Sequence, residues 1–472
     1  MKPISFLLTA ALALSCSKSG TYVLVTVDSG TSFTLTSLNA IVSNSGQSAS
    51  VTVKTGASFT IPPMQSFTLQ IGSERSGDLT VEVHAIGSSG EVAQAKGTIA
   101  LVPGGQATLA LQLTPEISDM TTSDQSAADM GAAIQFAPAV GYQAFGAEYV
   151  AIADLRNDAK KDLMVGSFND VGPTVLLGNG DGTFQAATTV NDASGPISIV
   201  AADFNGDGKP DLAVANVGAG VVSVHLGNGD GTFGMPSQLN VGSPGSLVTA
   251  DFNGDLKPDL VTTDSGANKV NVFIGVGDGT FKAAVGYGTD LAPRAVVAAD
   301  LNGDGKVDLV TANNGAGSMS VLMGNGDGTF VGAANRSLGV APLHLVAARL
   351  DGDAAIDLAF VGGDFVSVLL GKGDGTFQAP INISAADSRS IAVGDIDGDQ
   401  KPDLVTASFG NNQVDVLLGK GDGAFAAPID IPAGSNPAFV AVGDLNGDGK
   451  PDLAVADHGS GEVAILINTT FK

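Results

Sequence analysis

A nine-residue acidic loop recurs seven times between residues 154 and 452. Its first positions are Asp154, Asp203, Asp251, Asp300, Arg349, Asp395 and Asp444, at spacings of 49, 48, 49, 49, 46 and 49 residues. The clearest copy reads Asp203-Phe-Asn205-Gly-Asp207-Gly-Lys209-Pro-Asp211. Side-chain oxygens at positions 1, 3, 5 and 9, with glycine at 6 for a sharp turn, suit a hard cation such as Ca²⁺. A fixed period near 48 residues marks a repeat architecture in which each unit buries its apolar face against the next.

Each loop precedes a short apolar run, such as Asp211-Leu-Ala-Val-Ala-Asn216, then a Gly-rich turn and a second run, such as Val221-Val-Ser-Val-His-Leu226. Next comes Gly-x-Gly-Asp-Gly-Thr/Ala-Phe, at 178–184, 227–233, 275–281, 324–330, 371–377 and 419–425. A fourth weak strand leads into the next loop. Four strands per repeat match one propeller blade. The last repeat stops at Lys472 without a fourth strand, while Ile134-Gln-Phe-Ala-Pro-Ala-Val140 resembles the fourth-strand segment Phe425-Ala-Ala-Pro-Ile-Asp-Ile431. The N-terminal strand is therefore expected to complete the last blade, closing seven blades as one strand plus three and leaving no free sheet edge.

Asp-x-Asn-Gly-Asp-Gly-Lys-Pro-Asp-Leu followed by Leu-Gly-x-Gly-Asp-Gly-Thr-Phe resembles the FG-GAP or VCBS repeat family, the blades of the integrin α-subunit propeller and of many bacterial surface proteins. The resemblance covers about 134–472. It implies a seven-bladed propeller with Ca²⁺ between the first and second strands, often serving adhesion or recognition.

Five loops are complete: Asp203/Asn205/Asp207/Asp211, Asp251/Asn253/Asp255/Asp259, Asp300/Asn302/Asp304/Asp308, Asp395/Asp397/Asp399/Asp403 and Asp444/Asn446/Asp448/Asp452. Position 7 (Lys209, Lys257, Lys306, Lys401, Lys450) is expected to offer its backbone carbonyl, with the ammonium pointing away. Mg²⁺ fits less well, because it gives up its waters reluctantly. Leu256 and Gln400 replace glycine at position 6, where positive φ costs on the order of 1 kcal/mol. Two loops are degenerate. Arg349 replaces the first acid of blade five and is expected to bridge Asp351, Asp353 and Asp357 as a built-in cation. Blade one carries Arg156 at position 3 and Ala159 at position 6, which predicts an empty or weak site. An EF-hand is excluded, because position 12 holds Val or Thr within a strand instead of Glu. The Gly-Asp-Gly stretches read as positive-φ turns rather than ligands, with the following Phe packed between blades.

Residues 22–115 alternate with period two in runs such as Leu79-Thr-Val-Glu-Val-His84, which predicts a small immunoglobulin-like β-sandwich. Residues 116–133 are small, polar and acidic and read as a flexible linker. The fold class expected is thus all-β, a β-sandwich preceding a Ca²⁺-binding seven-bladed β-propeller.

The chain begins Met1-Lys2, then an apolar run of Ile4 to Leu14 too short to span a bilayer, then Leu12-Ala-Leu-Ser-Cys16. This is the layout of a secretory signal peptide, and it resembles the lipobox of bacterial lipoproteins, with Cys16 as the lipidated residue. Residues 1–16 are then the leader, and the membrane is reached through the lipid anchor alone. Ser17 fits outer-membrane sorting by the same resemblance. Cys16 is the sole cysteine, so no intrachain disulfide forms.

Acids outnumber bases 48 to 22, a net charge of -26, which argues against nucleic acid and anionic lipid. The four histidines fall in different domains or blades, and no Gly-x-Ser-x-Gly elbow exists. The expectation is a monomeric, non-enzymatic surface module that recognises a protein or glycan. A polysaccharide-binding or polysaccharide-acting enzyme on the same scaffold is the alternative. On the face opposite the loops, Asp264, Asp290, Arg294, Arg336, Asp364, Arg389, His458 and Glu462 read as scattered.

Overall fold

The computed structural model describes residues 134–470 except 145, 170 and 171, together with the backbone of strands before residue 113. The chain divides into two compact units, Met1–Met130 and Gly131–Lys472. In the first unit the strands form two four-stranded antiparallel sheets, one containing Tyr22–Asp28 and Gly77–Gly87, the other Leu35–Asn44 and Ser66–Ser73. Leu8–Leu12, within the expected leader, pairs with Tyr22–Asp28 at the edge of the first sheet. The sandwich core, Cys16 and the linker lie outside the described residues.

The second unit is a seven-bladed propeller of four-stranded antiparallel sheets. In blade two the strands run outward as Pro196–Ala202, Asp211–Asn216, Val221–His225 and Ser237–Asn240. The second strand is buried at every residue, because neighbouring blades cover both of its faces. Its continuous apolar sequence follows from that two-sided burial. The fourth strand is largely exposed and only four residues long, which limits pairing with other chains.

Closure follows the expected scheme. Val140–Gln143 pairs with Glu462–Leu466 as the outer strand of blade seven. Phe136 bridges Asn468, and Thr469 N donates to Gln135 O at 2.8 Å.

The core consists of interfaces between blades. Phe204, Ala213 and Val224 of blade two pack with Leu247, Leu260 and Phe273 of blade three. The Gly-x-Gly-Asp-Gly-Thr-Phe turns staple these interfaces. Gly279 N donates to Phe204 O at 3.0 Å, and Gly328 N to Phe252 O at 2.9 Å. Phe281 meets Phe204 edge-on at 5.5 Å, and Phe330 meets Phe252 at 5.7 Å. Both turn glycines are left-handed (φ 81° at Gly229, 84° at Gly231), as the turn reading requires.

Candidate metal loops and an axial cavity

The seven loops follow the innermost strands. In blade two, Asp203 Oδ1 accepts Gly206 N at 2.7 Å and Oδ2 accepts Gly208 N at 2.8 Å. Asn205 Oδ1 takes Asp207 N, and Asp207 Oδ1 takes Lys209 N, each at 2.9 Å. These bonds curl the backbone so that the side-chain oxygens of positions 1, 3 and 5 lie along one side of a tight turn.

Three sister loops repeat the pattern. In blade three, Asp251 Oδ1 accepts Gly254 N at 2.7 Å, Asn253 Oδ1 accepts Asp255 N at 2.8 Å and Asp255 Oδ1 accepts Lys257 N at 3.0 Å. In blade four, Asp300 Oδ1 accepts Gly303 N at 2.7 Å, while Asn302 Oδ1 takes Asp304 N and Asp304 Oδ1 takes Lys306 N, each at 3.0 Å. In blade seven, Asp444 Oδ1 accepts Gly447 N at 2.7 Å, while Asn446 Oδ1 takes Asp448 N and Asp448 Oδ1 takes Lys450 N, each at 2.9 Å. Leu256 (φ 63°) and Gln400 (φ 70°) take the left-handed conformation expected at position 6.

Position 9 has a second role that sequence reasoning missed. Asp162, Asp211, Asp259, Asp308, Asp357, Asp403 and Asp452 are all fully buried. In each, Oδ2 accepts the backbone N–H of loop position 2 and Oδ1 accepts one at the end of the third strand. For Asp211 these are Phe204 N at 2.9 Å and Gly227 N at 2.7 Å. The latch is present even in the degenerate loops, through Asp162 and Asp357. The signal available was that this acid persists in all seven repeats, degenerate loops included. Burial pushes the carboxyls of Asp211, Asp259, Asp308 and Asp357 up, and those of Asp403 and Asp452 up to about 6.

Blade six gathers three carboxylates. Carboxylate oxygens of Asp395, Asp397 and Asp403 lie within 4.8 Å of one another. Asp395 Oδ1 is buried and meets no donor. A buried carboxylate oxygen without a partner is costly, and a cation is the natural occupant. The donors are all hard oxygens, so the residues present fit Ca²⁺.

Among the described residues, no second group of three acids converges so closely. The difference lies at position 3, where blade six places the carboxylate of Asp397 and the other four complete loops place Asn205, Asn253, Asn302 and Asn446; in all five the side-chain oxygen there accepts the N–H of position 5.

Three other expectations are corrected. The position-7 ammonium groups do not point away: Lys209, Lys306 and Lys401 fold back to 3.8, 3.7 and 3.1 Å from Asp207, Asp304 and Asp399. Lys257 Nζ instead donates to Val276 O at 2.6 Å. Their aliphatic stems lie over the turn glycines, as Lys209 does over Gly229, where a side chain would collide. Arg349 does not bridge the carboxylates of its loop; its Nε donates to Ala354 O at 3.2 Å. Ala354 stays out of the left-handed region used elsewhere at position 6, so this loop turns differently. The built-in cation lies in blade one instead. Arg156 stands 2.7 Å from Asp162 and 3.2 Å from Asp158, and donates to Gly178 O at 2.7 Å.

The third correction concerns the opposite end of the innermost strands. A cavity of about 410 Å³ opens there, lined by residues from all seven blades. Arg294 and Arg389 line it, and His458 reaches its wall through Glu148 (Nδ1 to Oε1, 3.2 Å), so these groups are gathered rather than scattered. Asp264, Asp290, Arg336, Asp364 and Glu462 are not among its lining residues. The Arg389 guanidinium sits over the Phe409 ring. Tyr149, Phe439 and His344 pack in series, tilted and then edge-to-face, with centroids 4.5 and 5.0 Å apart. Burial holds His344 down at about 4, so its ring is neutral. Burial and the nearby Arg389 charge lower Arg294, and Glu148 partly offsets them.

Glu148, Ile197, Gly245, Arg294, Leu343, Arg389 and Ala438 each stand six residues before the first position of their loop. Aligning the repeats on that place is the sequence signal that would have found the ring.

A family model described as an FG-GAP-like repeat matches residues 154–214, 203–262, 251–311, 300–360, 349–406 and 395–455. No curated protein sequence matches the chain. Among solved structures, an Agrocybe aegerita lectin that recognises non-reducing terminal N-acetylglucosamine is 22% identical, covering 67% of this chain and 86% of that one, with a TM-score of 0.47. A catalytically inactive virginiamycin B lyase from Staphylococcus aureus is 13% identical over 71% and 98% of the two chains, TM-score 0.47. The periplasmic gluconolactonase of Pseudomonas aeruginosa is 15% identical over 86% and 98%, TM-score 0.47.

Proposed function

This chain belongs to the FG-GAP-like repeat family, and from that premise we propose that it is a calcium-binding propeller that recognises a macromolecular partner on a bacterial envelope. In this reading Cys16 carries the lipid anchor, residues 17–133 act as a stalk, and the propeller is the binding head. The observation that carries the calcium assignment is the blade-six cluster, where Asp395, Asp397 and Asp403 converge around a buried, unpartnered Asp395 Oδ1. Calcium also supplies positive charge to a chain of net charge -26 whose acids crowd into these loops.

Binding is proposed rather than catalysis. The axial cavity favours a glycan among possible partners, because it combines guanidinium, hydroxyl and aromatic groups in one concave site. The test is a pull-down from envelope and matrix extracts with the Cys16→Ser chain, first in calcium and then in chelator. A partner retained in calcium and released by chelator supports the reading. Retention of nothing in either condition contradicts it.

A further inference from the structure

We propose that the axial cavity binds the carboxylate of an acidic sugar, with Arg294 and Arg389 as the anion-recognising pair. This deepens the recognition reading and rests on it.

The argument begins with charge. In a chain with 22 basic residues against 48 acidic ones, two arginines line one cavity from different blades. Among the described residues, neither guanidinium has a carboxylate within ion-pair distance. The only acid lining the cavity is Glu148, and it is engaged by His458 at 3.2 Å. Two like charges offset only in part by Glu148 disfavour the free state, and a bound anion relieves that cost. The Arg389 guanidinium rests on the Phe409 ring, a cation–π contact that restrains it. The side chain of Arg294 stays accessible although protein surrounds most of it, as expected of a group lining a water-filled cavity.

The rest of the lining specifies what carries the anion. Ser246, Ser265 and Asn314 offer short hydrogen-bonding groups suited to sugar hydroxyls. Phe439 and the half-exposed Phe168 add apolar ring surface. The volume of about 410 Å³ lies in the small-ligand range of roughly 300–1,000 Å³. With Glu148 the site carries one net positive charge, which a monoanionic carboxylate balances and a dianionic phosphate ester exceeds. A guanidinium fork also matches carboxylate geometry in two parallel hydrogen bonds.

The test is a calorimetric titration of the full chain with Cys16→Ser in calcium, using glucuronate, galacturonate and mannuronate. Glucose and glucose 6-phosphate are the neutral and dianionic comparisons. At least one hexuronate is expected to bind, tenfold or more tighter than glucose and tighter than glucose 6-phosphate. Arg294→Met and Arg389→Met are each expected to weaken it tenfold or more while melting like the parent chain. Arg389→Lys should recover part of the loss, and Lys282→Met, outside the cavity, should change nothing. The proposal is overturned if no hexuronate binds, if glucose or the phosphate ester binds as well, or if the arginine substitutions leave binding intact. Should hexuronates fail while the pull-down still yields a calcium-dependent partner, the ligand class is wrong and the recognition reading stands.

Discussion

The guanidinium of Arg156 lies 2.7 Å from the buried carboxylate of Asp162, at the loop position where other blades offer a side-chain oxygen. Asp162 is the latch acid of blade one, and the arginine compensates its charge permanently. Hydrogen bonding to Asp162 raises the Arg156 pKa, so the cation is fixed at all ordinary pH values. On the proposed calcium reading, Arg156 takes the place of the ion in blade one.

Arg156→Asn removes that cation and restores an oxygen at position 3. In chelator the variant is expected to lose roughly 2–4 kcal/mol, the order seen when one partner of a largely buried ion pair is removed. Calcium should recover part of the loss. Thermal melts of parent and variant in calcium and in chelator check this, and equal melts in chelator would contradict it.

Asp211 and Asp207 share a loop but not a role. Asp211 is fully buried and accepts two backbone N–H groups, whereas the Asp207 side chain is 39% exposed and faces the proposed ion. Asp211→Ala is expected to destabilise by roughly 2–5 kcal/mol with or without calcium, since two buried donors lose their acceptor. Asp207→Ala should cost more in calcium than in chelator. Denaturant unfolding in both conditions separates the two.

Leu256 is 92% exposed with φ at 63°, so its side chain packs on nothing while its backbone is strained. Leu256→Gly is expected to raise stability by about 0.5–1 kcal/mol, the left-handed penalty less the added freedom of the unfolded chain. A lower melting temperature for the variant would contradict this.

Burial and the Glu462 charge push the carboxyl of Asp457 up to about 8. An unfolded aspartate titrates near 3.9, so the folded state holds its proton over a range where the unfolded state has lost it. Stability from this residue is therefore present at low pH and lost as pH rises from about 4 to 8. The same strand-end place holds Asn216 and Asn313 in blades two and four. Asp457→Asn is expected to match the parent near pH 4 and exceed it by on the order of 2–4 kcal/mol at pH 8. A constant difference across pH would rule this out.

Seven blades and the strand exchange between Val140–Gln143 and Glu462–Leu466 were legible, because the repeat period and the missing last strand state them directly. Positive φ at Leu256 and Gln400 followed from the glycine at the same place in sister loops. The Asp211 latch was hidden, since one carboxylate serves ligand spacing and backbone capping with the same sequence signature. The blade-six trio was visible as one residue type, Asp397 where Asn253, Asn302 and Asn446 stand in other loops, but the buried, unpartnered oxygen of Asp395 beside it was not. The choice between Arg156 and Arg349 depended on side-chain reach: position 3 points into the loop and position 1 of blade five does not. The Arg294–Arg389 cavity was invisible to local reading, because its walls come from residues about a blade or more apart that meet only when the ring closes.

Scanning calorimetry of the full Cys16→Ser chain in 1 mM calcium and in excess chelator tests the central claim most directly. With dissociation constants of roughly 0.1–1 mM, each occupied loop contributes about 0.4–1.4 kcal/mol at that concentration. Five occupied loops are expected to stabilise the propeller by about 2–7 kcal/mol, seen as a clear drop in its melting temperature on chelation. An unchanged propeller transition in excess chelator would contradict the calcium assignment.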